Sequence, residues 1–140
     1  MARDPKVDLL ASVPLFAGLG RGELEELARL VDEIDVPANH VLMRQGEPGD
    51  QMFVVVSGEL DIDRDGRTIN RQGPGAAVGE MSLLAEGART ATVRTLGPTQ
   101  LLVLGHREFH SLMDAHPTVR MRILEGLADK VRNLDLGTAH

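Results

Sequence analysis

Over residues 37–104 the chain is cut into short apolar segments by Gly- and Pro-rich turns, and this interrupted pattern makes that stretch mainly β structure. Residues 41–43 and 52–57 read as strands, and in Leu60-Asp61-Ile62-Asp63 apolar and acidic residues alternate with period two. Asp65-Gly66 separates 60–64 from 67–71 as a two-residue hairpin turn, because both residue types tolerate positive φ. Gly46-Glu47-Pro48-Gly49-Asp50 and Gly73-Pro74-Gly75 supply further turns. Residues 90–94 and 100–104, joined through Leu96-Gly97-Pro98, read as two more strands, and the whole is expected to hold about eight. Many short strands with frequent turns pack as a sandwich or roll.

The flanks change period. Leu24, Leu27, Ala28, Leu30, Val31 and Ile34 recur at three- and four-residue spacing, which predicts a helix running to Ile34. Val7-Asp8-Leu9-Leu10 form a shorter helix broken at Val13-Pro14. After the strands, Phe109, Leu112 and Met113 restore the helical period. It stops near His116-Pro117 and resumes with one stripe of Val119, Ile123, Leu124, Leu127 and Val131. The predicted class is α+β: an eight-stranded antiparallel β-roll (jelly roll) over about 35–105, N-terminal helices over about 6–34, and C-terminal helices over about 106–134. With 140 residues, 1–140 is read as a single domain.

Composition removes several functions. Fifteen basic against 21 acidic residues give a net charge of −6, the wrong sign for gripping a phosphate backbone, so no nucleic-acid partner is expected. No Cys means no disulfide, thiolate metal site or thiol nucleophile. No apolar run approaches a membrane span, and the N-terminal residues lack a continuous apolar leader segment, so the expected location is cytoplasmic. His106 and His110, four apart with Glu108 between and His116 nearby, have no matching ligand cluster elsewhere. They read as surface histidines near a helix start, and no metal is expected. Asp61, Asp63 and Asp65 read as a solvated face. No paired carboxylates or nucleophile–base dyad is found, so no enzyme is predicted.

One segment carries chemistry. In residues 79–93, Gly79-Glu80 opens a short helix of about two turns whose first amides point outward, and Arg89 follows one loop later. A guanidinium there adds a bidentate, charge-assisted clamp to an anion already held by amides. Glu80 only accepts hydrogen bonds and shares the anion's sign, so its natural donor is a sugar hydroxyl. The alternative is a roll that binds nothing and serves as a protein-interaction domain, with Glu80 and Arg89 merely paired.

Gly79, Glu80, Leu83, Leu84, Arg89, Ala91, Thr92 and Val93 resemble, without an insertion, the phosphate-binding cassette of cyclic nucleotide-binding domains. Residues 42–50 and 54–60 resemble the family's strand-turn-strand segment, Leu15-Phe16-Ala17-Gly18-Leu19 its entry helix, and the likeness spans roughly residues 12 to 134. The resemblance implies that Glu80 accepts the ribose 2′-hydroxyl and Arg89 binds the phosphate, with Gly79 and the amides of Met81 and Ser82 lining the same site. Thr90 would touch the phosphate or a guanine amino group, which permits cGMP without requiring it; cAMP is the favoured ligand. The last helix would swing to cover the base, offering Arg120, Arg122, Leu124, Leu127 or Val131. The implied role is a sensor that signals to an effector protein or domain, as a separate chain or as a regulatory piece of a longer one.

Overall fold

A computed structural model describes residues 4–85 and 87–138; residues 1–3, the start of the stretch read above for a leader, lie outside it. The described chain divides into two compact units, a roll from Leu30 to Phe109 and a helical unit made of the residues up to Arg29 and from His110 onward.

The helical unit begins with α1 (Pro5–Ala11), where Asp4 caps the first turn by accepting from the Lys6 amide at 2.9 Å and Pro5 occupies the first position. A 3₁₀ turn, Pro14–Phe16, follows, then α2 (Arg21–Ala28). Glu23 organises this unit. Its carboxylate accepts from the Gly20 amide at 2.8 Å, from the Thr118 hydroxyl at 3.1 Å, and pairs with Arg122 at 3.3 Å. Arg122 also donates to Gly18 O at 2.9 Å, which fixes the first turns of α5 (Pro117–Thr138) against the 3₁₀ region. Val119 and Ile123 are fully buried there, whereas Leu124 and Val131 are more than half exposed. The stripe read from the sequence is thus fully packed over its first two turns and half-buried at Leu127.

The roll holds ten strands among the described residues, three of them only two residues long. They are β1 (Asp32–Val36), β2 (Val41–Met43), β3 (Pro48–Gly49), β4 (Gln51–Ser57), β5 (Leu60–Arg64), β6 (Arg67–Gln72), β7 (Ala77–Val78), β8 (Gly87–Ala88), β9 (Thr92–Thr95) and β10 (Thr99–Gly105). One antiparallel sheet runs β1-β10-β4-β7, a second β2-β9-β5-β6, and β3 pairs with β8. The one-turn helix α3 (Met81–Leu84) lies between β7 and β8, and α4 (His106–Ala115) follows β10 directly. The expected α+β roll with flanking helices is present.

Val36, Met43, Phe53, Val55, Leu60, Val78, Val93, Leu101 and Val103 meet between the sheets. With no Trp or Tyr, this set, aliphatic apart from Phe53 and Met43, carries the roll, each fully buried Val or Leu contributing about 1.5–3 kcal/mol. The Asp65-Gly66 turn takes φ of 55° and 81°, the pair of positive values that a twisted hairpin requires.

Two readings are corrected. The helix expected to reach Ile34 ends at Ala28, and residues 32–36 form β1, in register with β10 as Asp32↔Val103, Ile34↔Leu101 and Val36↔Thr99. Pairing with a distant strand satisfies this backbone and overrides local helical spacing. The alternating aspartates are not uniformly solvated. Asp61 is buried, accepting from the Thr68 hydroxyl at 3.3 Å and facing Arg71 at 3.8 Å, so cross-strand partners on β6 compensate its charge.

Candidate functional site

Met43, Ile62, Val78, Ala91 and Val93 form the apolar wall of a cleft of about 280 Å³ in the roll. Gly79, Glu80, Met81, Ser82, Arg89 and Thr90 all line the same cleft, so the fold brings together the six residues expected to meet a ligand. Arg64, from the tip of β5, lines it as well.

Arg89 is the most constrained member. Its amide donates to Glu47 O at 2.8 Å and its carbonyl accepts from the Gly46 amide at 2.9 Å, which extends the β3–β8 pairing and pins the backbone to the 46–50 turn. Nη1 donates to Ser82 Oγ at 2.7 Å and Nη2 to Gln51 O at 2.8 Å. Two glycines make room for the guanidinium. A Cβ on Gly49 would overlap Arg89, and a Cβ on Gly79 would lie 2.7 Å from Nη1 and 2.8 Å from Gln51 O. Gly79 also has φ of 80°, which strains any side-chain-bearing residue. The sequence reading noted Gly49 only as a turn residue; its second duty is to admit the arginine.

Burial lowers the Arg89 pKa from its ordinary value, and the Asp50 charge opposes that shift. An arginine remains protonated regardless, so the consequence is a cation partly removed from water. No carboxylate among the described residues makes an ion pair with it, and of its five donors two are committed to Ser82 and Gln51. Such a group favours an incoming anion, and its orientation is already fixed. Arg89 bonds Ser82 and Gln51 rather than Glu80, so the simple Glu80–Arg89 ion pair of the alternative reading is not formed.

The local helix differs from expectation. α3 has four residues, one turn rather than about two, because Ala85 turns extended at φ −148°. Its Ser82 amide donates inward to Gly79 O at 3.0 Å, leaving the Ser82 hydroxyl as the group that faces Arg89. Thr90 is exposed, and its carbonyl accepts from Arg64 Nε at 3.1 Å. His106, read above as a surface histidine, is half-buried with Nδ1 3.0 Å from Ser82 O. No group of three or more His, Asp and Glu among the described residues is arranged to hold a metal ion, and no helix there is long and apolar enough to cross a membrane.

Comparison with known proteins bears directly on this cleft. Residues 33–116 match the family model of the cyclic nucleotide-binding domain. The chain is 40% identical over 111 residues to a cyclic nucleotide-gated potassium channel of Mesorhizobium japonicum, a match covering 79% of this chain but 31% of the channel. It therefore spans about a third of that relative's length. The N-terminal domain of a transcriptional regulator from Streptomyces coelicolor superposes with a TM-score of 0.87 at 32% identity, covering 94% of this chain and 95% of that one. The regulatory domain of Toxoplasma gondii PKA, crystallised with cAMP, gives 0.73 at 30% identity, covering 84% and 49%.

Proposed function

Because the chain belongs to the cyclic nucleotide-binding domain family, we propose that its cleft binds a purine cyclic 3′,5′-monophosphate, cAMP in the first reading, and acts as a regulatory sensor. The observation that carries this is the seat of Arg89: a half-buried guanidinium, bonded to Ser82 and Gln51 and framed by Gly49 and Gly79, lining an apolar-walled cleft. The cyclic phosphate takes the remaining Arg89 donors, and the purine lies along the wall of Met43, Ile62 and Val93. Glu80, half-buried on the same cleft, accepts the ribose 2′-hydroxyl. That role is tested with 2′-deoxy cyclic nucleotides. Wild type discriminates against the deoxy ligand by about tenfold or more, the scale of a hydrogen bond to a charged acceptor, and Glu80→Gln narrows the gap. Equal affinity for both sugars in wild type would remove Glu80 from the ribose.

Arg64 favours cGMP as a second reading. Guanine presents two acceptors, O6 and N7, on one edge, a match for an arginine fork, whereas adenine presents an acceptor beside a donor. Arg64 lines the cleft and bonds Thr90 O through Nε, so this bond leaves its terminal Nη pair uncommitted. In this reading Arg64→Ala and Thr90→Ala each lower cGMP affinity more than cAMP affinity; equal losses for the two nucleotides would place Thr90 on the phosphate and remove Arg64 from the base.

The signal leaves through α5 in this proposal. A single residue, His116, separates α4 from α5, and Pro117 starts α5, a natural hinge. Leu124 and Val131 are exposed, and Gly126 lowers helix stability by roughly 1 kcal/mol relative to Ala, so the later turns gain from an additional contact. A ligand shifts such a helix only if it binds its two positions differently. Amide exchange over 118–134 is expected to slow on saturation with nucleotide; unchanged exchange there would make α5 purely structural.

A further inference from the structure

His106 completes a closed circuit around the arginine. Its amide donates to Asp50 O at 2.7 Å, and its ring Nδ1 lies 3.0 Å from Ser82 O. Ser82 Oγ accepts from Arg89 Nη1, and Arg89 Nη2 reaches Gln51 O, one residue on from Asp50. The path His106, Ser82, Arg89, Gln51, Asp50 returns to His106. A carbonyl only accepts, so Nδ1 carries the proton in this contact.

The contact matters because α3 is too short to hold itself. Four residues lie far below the length at which a helix is stable alone, and carbonyls in its last turn lack intrahelical partners. The His106 ring supplies a donor to one of its carbonyls, Ser82 O. The same serine carries the hydroxyl that orients Arg89, so the imidazole fixes the arginine at one remove. His106 itself does not line the cleft.

We propose that His106 is a positioning residue that sets cyclic nucleotide affinity by holding Ser82, and through it Arg89, in the binding geometry. This rests on the function proposed above.

Two replacements separate the ring atom from the side chain's bulk. The Asn amide nitrogen falls near the position of Nδ1, whereas the Gln amide nitrogen falls near Nε2. Measured by calorimetry on the full chain with cAMP and cGMP, His106→Ala and His106→Gln are expected to weaken binding about fivefold to tenfold, the scale of one hydrogen bond. His106→Asn is expected to stay within about twofold of wild type. In a Ser82→Ala background, which severs the hydroxyl link, His106→Ala should add less than about twofold. A second readout needs no nucleotide: the Arg89 Nε–H signal in nitrogen-15 NMR broadens or exchanges faster in His106→Ala and His106→Gln but not in His106→Asn. Equal behaviour of the Asn and Gln variants in both measurements overturns the proposal. If wild type binds neither nucleotide while the Arg89 signal still follows His106, the functional reading falls and the positioning role stands.

Discussion

Arg89→Ala is expected to weaken cyclic nucleotide binding by about 1.5–3 kcal/mol, or roughly one to two orders of magnitude, while the roll stays folded. The loss is large because the guanidinium is oriented before ligand arrives: Ser82 and Gln51 hold both Nη groups, and the Glu47 and Gly46 backbone hold its main chain. The fold survives because the core of Phe53, Leu60, Val93 and Leu101 does not include this side chain. Arg89→Lys recovers only part of the affinity, since a point charge lacks the planar fork. Unchanged affinity in Arg89→Ala, measured by calorimetry, would mean that the phosphate sits elsewhere.

Gly79→Ala is expected to be at least as damaging, by a different route. With φ at 80°, an alanine there costs about 1–2 kcal/mol in backbone strain. Its Cβ would also press on Arg89 Nη1 at 2.7 Å, Gln51 O at 2.8 Å and Met43 Cε at 3.2 Å, moving the guanidinium off its seat. Thermal unfolding without ligand reads the first effect and nucleotide titration the second. Gly49→Ala serves as the control, because its Cβ meets Arg89 without a positive φ: affinity falls while the melting temperature changes less than in Gly79→Ala. If both variants bind like wild type, the two glycines are not the seat of the arginine.

What the sequence displayed and what it hid divide along chain distance. The Asp65-Gly66 hairpin and the run from Gly79 to Val93 were legible because their determinants are local: turn residues, period, and the order of a glycine, an acid and an arginine. β1 was not, since its apolar spacing fits a helix and only its partner β10, far along the chain, makes it a strand. The surroundings of the arginine were hidden for the same reason. Gln51 lies 38 residues from Arg89, His106 lies 24 from Ser82, and Arg64 lies 26 from Thr90. No periodicity links them. The link from the Ser82 hydroxyl to Arg89 was hidden as well: the Ser82 amide donates to Gly79 O within the short α3, and the hydroxyl accepts from the arginine. On α5 the stripe was visible but its burial was not, because Val119 and Ile123 are buried and Leu127 half-buried while Leu124 and Val131 stay exposed.

The central claim is that this cleft takes a cyclic nucleotide phosphate on Arg89, and titration calorimetry of the full chain with cAMP and with cGMP tests it most directly. Heat is the suitable signal, because a chain without Trp or Tyr offers little intrinsic fluorescence to follow. The account predicts saturable binding of one nucleotide per chain for at least one of the two, sharply weakened in Arg89→Ala. A folded wild-type chain that gives no binding heat with either nucleotide at millimolar concentration would contradict it.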